Sequence, residues 1–76
     1  MKSVCISLKM AESVKDFVNI TAKYPYDMDL RSGKYIIDAK SLLGIFSLDL
    51  SKPIVLEINN DKCDDLIADL AKFIVK

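Results

Sequence analysis

Apolar residues fall at every second position in four short runs of this chain, and at helical spacing in the stretches between. That switching of period limits the fold more than any single residue does. In the first run, 3–8, Val4, Ile6 and Leu8 lie on one face and Ser3, Cys5 and Ser7 on the other. The second, 26–31, opposes Met28 and Leu30 to Asp27 and Asp29. In the third, 34–39, Tyr35, Ile37 and Ala39 face one way and Ile36 and Asp38 the other. In the fourth, 54–58, Ile54, Leu56 and Ile58 alternate with Val55 and Glu57. A period of two over such lengths marks a strand with one buried face. Ser32-Gly33, between the second and third runs, supplies a hairpin turn, because glycine tolerates positive φ.

The intervening stretches carry helical signals. Val14, Phe17, Val18 and Thr21 recur at i, i+3, i+4 and i+7. Ser13 with Asp16 three residues on resembles a capping box, and Pro25 ends the helix by disfavouring the α conformation at Tyr24. Ser41 suits the N-cap of a short helix over 41–48. Leu42, Leu43, Ile45, Phe46 and Leu48 are too many apolar residues for one narrow stripe. One of Leu42, Leu43 and Phe46 is expected in the core, and at least two of the three on a surface that meets a partner. Asp61 and Asp64 open a long final helix, whose stripe is Cys63, Leu66, Ile67, Leu70, Ala71, Phe73 and Ile74. Lys72 and Lys76 near its end complement the helix dipole.

The order is therefore β-α-β-β-α-β-α. It predicts an α+β fold in one domain, 1–76: a two-layer open-faced sandwich with a four-stranded antiparallel sheet and three helices on one side. The ferredoxin-like arrangement shares most of this order and is the main structural alternative.

Charge and composition exclude several function classes. Eleven acids balance eleven bases, with the bases scattered, so no basic surface is available for nucleic acid. No apolar run approaches the roughly 20 residues that span a bilayer, and the first residues lack the apolar core of a signal peptide. A cytoplasmic location is expected. Cys5 and Cys63 have no metal-ligand spacing and are expected as free, mostly buried thiols. Asp61, Asp64 and Asp65 are taken as helix-capping acids rather than a cation site. No convergent nucleophile, base and oxyanion donor stands out, so neither enzymatic activity nor a cofactor or metal is expected. A monomer is the expected form.

Ala39-Lys40-Ser41-Leu42-Leu43-Gly44, followed by Phe46-Ser47-Leu48, resembles the regulatory-serine segment of HPr, the phosphocarrier of the bacterial sugar phosphotransferase system. Phe17-Val18, Lys23-Tyr24, Ser32-Gly33-Lys34 and Lys40-Ser41 also fall into place, and the resemblance extends from residue 13 to about residue 71. It implies the HPr-like form of the sandwich. It also implies that Ser41 is a phosphorylation site for an ATP-dependent HPr kinase, and that Lys40, Leu42, Leu43 and Phe46 dock onto partner proteins.

The family's Gly-x-His-x-Arg-Pro loop is not matched. Met10 falls nearest its histidine, Glu12 near its arginine and Ser13 near its proline, and the sequence contains no histidine at all. Methionine offers no nucleophile for phosphoryl transfer, and a glutamate would repel the phosphoryl oxygens. Histidine-based phosphoryl transfer is therefore excluded. The resemblance is to family members that lack the histidine and keep the serine. Those act in carbon catabolite regulation, binding a transcriptional repressor when serine-phosphorylated. A constitutive docking module competing with true HPr for partners such as Enzyme I is the alternative, as is a phosphocarrier in family name only.

Overall fold

The computed structural model of the chain describes residues 1–75. Its elements are β1 (Lys2–Ile6), α1 (Ala11–Thr21), β2 (Met28–Ser32), β3 (Tyr35–Asp38), α2 (Leu42–Phe46), β4 (Ile54–Ile58), α3 (Asp64–Asp69) and a 3-10 turn (Ala71–Phe73). The strands form one antiparallel sheet in the order β1-β4-β2-β3. A ferredoxin-like sheet would put the first and third strands at its centre. Here they form the edges, which removes that alternative.

The alternation seen in the sequence sets the register. Leu56 in β4 lies opposite Val4 on one side and Leu30 on the other, and Ile58 lies opposite Lys2 and Met28. Ile6, Met28, Leu30, Ile54, Leu56 and Ile58 are buried on this face beneath Val14 and Phe17 of α1, Ile45 of α2, and Leu66, Leu70 and Phe73. Phe17 and Phe73 meet edge to face with centroids 5.9 Å apart. The opposite face is open. There Asp29 stands between Glu57 and Asp38, and Arg31 offsets the repulsion by pairing with Glu57, Nη2 to Oε1 at 3.0 Å. Gly33 at φ 58° turns β2 into β3, the type II′ geometry that calls for glycine at the first central position.

Both long helices differ from expectation at their ends. Helix α1 starts at Ala11, not Ser13, because the Val14 N–H already bonds to the Met10 carbonyl at 3.2 Å. Ser13 therefore sits inside the first turn and forms no capping box. The helix closes with three-residue turns, Lys23 N–H to Ile20 O and Tyr24 N–H to Thr21 O, before Pro25.

The predicted long final helix is six residues only, with Cys63 at its N-cap. Asp61 is not its cap: its carboxylate accepts from the Met1 ammonium at 2.6 Å, which holds the Asp61 carboxyl below the usual carboxylate range. After the 3-10 turn, Ile74 goes extended and pairs with Ile6. Ser7 N–H bonds to Phe73 O at 2.8 Å and Val75 N–H to Cys5 O at 2.9 Å. The unpaired edge of β1 competes successfully for the end of this stretch, and β-branched Ile74 and Val75 suit an extended backbone. Lys72 thus caps no long helix. It reaches Asp16 at 3.9 Å and lies 5.1 Å from the Phe73 ring centroid, while Lys76 lies outside the described residues. Cys63 is buried as expected, but Cys5 is exposed on the open sheet face, opposite Val55.

A tyrosine clasp joins the end of α1 to α3. Tyr24 and Tyr26 stack with centroids 5.9 Å apart. The Tyr24 hydroxyl donates to the Asp69 carboxylate, and the Tyr26 hydroxyl to Asp65 Oδ1 at 3.2 Å. A phenolate at Tyr24 would lose that bond and face the Asp69 charge, so the Tyr24 pKa is pushed up from 10.0 to about 12. Folding holds this proton more tightly, so the clasp's contribution is complete below pH 10.0 and is lost as pH rises through about 12. In an ultraviolet titration of the folded protein, Tyr24→Phe should remove an ionisation step near pH 12. Loss of a step at the ordinary tyrosine value instead would contradict the clasp.

Candidate functional site

The β3–α2 junction is built from short-range bonds. Asp38 O accepts from Ser41 N–H at 3.0 Å, and Asp38 Oδ1 accepts from Lys40 N–H at 2.9 Å. Ser41 is the N-cap of α2, as the sequence predicts: its Oγ accepts the Gly44 N–H at 3.2 Å, satisfying one of the free donors of the first turn. Gly44 is needed for this closeness. A Cβ there would sit 3.1 Å from Ser41 Oγ and 3.4 Å from Ile37 Cδ1 of β3. Ser47 Oγ donates to Gly44 O at 2.5 Å and closes the other end of the helix.

Ile45 is the residue of α2 that enters the core. This corrects the expectation that one of Leu42, Leu43 and Phe46 would do so. A five-residue helix laid over a sheet has room for one inward position, and Ile45 takes it. Leu43 is 84% exposed, Phe46 41% and Leu42 36%. Leu42 and Phe46, four positions apart, share a side of the helix. The result is an apolar surface directly following a half-buried serine.

Lys40 is less free than its place in the sequence suggests. Its ammonium donates to the Tyr24 carbonyl at 2.8 Å, which ties α2 to the end of α1. Met10 and Glu12 belong to the start of α1. Met10 is its N-cap without a side-chain capping bond and is 63% exposed, and Glu12 lies in the first turn. Met10 borders a shallow hollow of about 370 Å³ with Ser7, Lys9, Ser13, Asp16, Lys72 and Phe73. The described side chains there include no imidazole or thiol.

Comparison with solved structures decides the fold. HPr-C-His of Thermoanaerobacter tengcongensis superposes with a TM-score of 0.78 at 26% identity, over 95% of this chain and 89% of that one. The chain has the HPr fold. The phosphocarrier protein HPr of Bacillus anthracis gives a TM-score of 0.72 at 23% identity, over 97% of this chain and 94% of that one. The histidine-containing phosphocarrier protein of a mycoplasma gives 0.72 at 13% identity, covering 93% and 86%. No protein-family model matches the sequence, and none of the curated proteins does. The HPr-like fold thus emerges from structure more clearly than from sequence.

The exposed and buried sides of α2 should separate in mutational cost. Ile45→Ala should lower unfolding free energy by about 2–5 kcal/mol, whereas Leu43→Ala should stay within about 0.5 kcal/mol of wild type. Urea unfolding monitored by far-ultraviolet circular dichroism measures both, and equal losses would contradict the assignment of Leu43 to the surface.

Proposed function

We propose that this chain is a non-enzymatic, HPr-like regulatory module of the phosphotransferase system. It docks onto cytoplasmic protein partners through Leu42, Leu43 and Phe46 and is switched by phosphorylation of Ser41. The exposure of Leu43 supports this most directly: a leucine 84% open to water, beside two further exposed apolar residues on a five-residue helix, adds nothing to the fold. Phosphate on Ser41 would add about −1.5 to −2 charges at the edge of that surface. The switch would change what a partner meets and leave the sheet beneath untouched. Loss of the histidine, with Met10 and Glu12 at the start of α1, leaves docking as the retained half of the family's activity. An HPr kinase and a transcriptional regulator are the partners this reading calls for.

A specific observation favours a second reading. Ser41 Oγ is half-buried and already engaged by Gly44 N–H, so the serine can serve as a cap alone. The surface would then dock constitutively and compete with HPr for partners such as Enzyme I.

Incubation with ATP and an HPr kinase, followed by intact-mass measurement, separates the two. Wild type should gain one phosphate, and Ser41→Asn should gain none, since asparagine keeps the cap and removes the hydroxyl. Failure of the wild type to gain mass, with a true HPr labelled in the same tube, would overturn the switch. Leu43→Asp should abolish partner capture under either reading.

A further inference from the structure

Gly44 meets Ser41 in two ways. Its N–H donates to Ser41 Oγ at 3.2 Å. The place where its own side chain would stand lies 3.1 Å from the same oxygen, and 3.4 Å from both Ser41 Cβ and Ile37 Cδ1. A methyl group there would be caught between the serine and β3. The backbone does not ask for this glycine: Gly33 is the glycine at positive φ, and Gly44 is not. Alanine is much the better helix former at such a position. A serine cap does not ask for it either, since the capping box places Glu or Gln three residues after the serine. The empty side of Gly44 therefore serves the space beside Ser41 Oγ.

That space bears on how one oxygen can both cap a helix and accept a phosphoryl group. On transfer from ATP, Ser41 Oγ bonds to the γ-phosphorus and the bond to the β-phosphate oxygen breaks. ADP leaves, and the hydroxyl proton passes to a base of the kinase. The ester oxygen left behind is a weaker acceptor than the hydroxyl was, so the Gly44 N–H would lose its partner. The new group brings anionic oxygens of its own. A bond from the Gly44 N–H to one of them is charge-assisted and roughly twice as strong as the neutral bond it replaces. The exchange requires the phosphoryl group to stand beside the Gly44 Cα, where any other residue would carry its Cβ.

We propose that Gly44 is the positioning residue that lets Ser41 act as cap and as phosphoryl acceptor in turn. Its missing side chain is the seat of the phosphoryl group, and its N–H passes from the hydroxyl to a phosphoryl oxygen. The inference rests on the reading of Ser41 as a kinase substrate and names the residue that decides whether phosphoserine is tolerated there. The hydrogen bond that occupies Ser41 in the unmodified chain is, after transfer, the one that holds the phosphate.

Chemical synthesis of the chain with phosphoserine at position 41 tests this without a kinase. Wild type and Gly44→Ala are each compared with and without the phosphate by thermal unfolding. Phosphorylation should leave the melting temperature of the glycine form unchanged or raised. It should lower that of the alanine form by about 4–8 °C, the shift that one lost hydrogen bond produces in a domain of this size. Whatever Gly44→Ala does to the unmodified chain cancels in this comparison, so a purely structural role for the glycine gives equal shifts. A second readout needs no variant: in the phosphorylated glycine form, the Gly44 amide proton should follow the phosphate titration near about pH 6. With an HPr kinase and ATP, Gly44→Ala should be labelled about tenfold or more slowly than wild type. Equal shifts in the two backgrounds, a Gly44 amide indifferent to the phosphate titration, or equal labelling rates would each overturn the assignment. Refusal of wild type by the kinase would instead overturn the switch, and the phosphoserine forms would still decide the role of Gly44.

Discussion

Burial of one face of β4 against its neighbours is the interaction on which the rest depends. Ile54, Leu56 and Ile58 are buried at the centre of the sheet, flanked by Ile6 and Val4 on one side and Met28 and Leu30 on the other. Each helix finds its place by covering part of this surface. Val14 and Phe17 bring down α1, Ile45 brings down α2, and Leu66 and Leu70 bring down α3. A helix as short as α2 has little stability of its own. Its cap, its glycine and its single inward isoleucine hold it to the sheet, and so its remaining apolar residues are turned outward.

The surface around Ser41 is thus a by-product of a packing constraint. β3 and β4 both run antiparallel to the β2 strand between them, so the chain must cross back over the helical face of the sheet to reach β4. The Ser41 cap, the Lys40 bond to the Tyr24 carbonyl and the close approach of Gly44 to Ile37 fix that crossing. Leu43 and Phe46 are presented on a rigid platform. If the proposed docking holds, a surface presented this way would spend little conformational entropy on binding. The HPr fold has been kept at low sequence identity, because these requirements fall on burial pattern and turn geometry, which many residue combinations satisfy.

Much of this was legible in the sequence, and the gaps have physical causes. Alternation locates all four strands to within two residues of their ends, since a half-buried strand admits little else. The Ser41 cap was legible because capping is local. Ser13 and Asp16 misled because a capping signal does not act alone: α1 could start earlier from Met10. The stripe through Phe73 and Ile74 fits a helix as well as a turn followed by a strand, and only the free edge of β1, far away in the chain, decides between them. The same is true of the Tyr24–Asp69 clasp and of the commitment of Lys40. Which of the α2 residues points inward also depends on the sheet below it. Cys5 was misjudged because free thiols are usually buried, although its place in the alternation already put it on the open face.

The position of β1 has a consequence for the order of events during synthesis. It is made before the other three strands of its sheet, yet its neighbours are β4 and the segment around Ile74. Residues 2–6 therefore have no strand to pair with in this sheet until residues 54–58 have emerged from the ribosome. The β2–β3 hairpin can close long before that. Contacts this distant in sequence are entropically costly to make first, so the sheet is completed from its middle outward and β1 joins among the last.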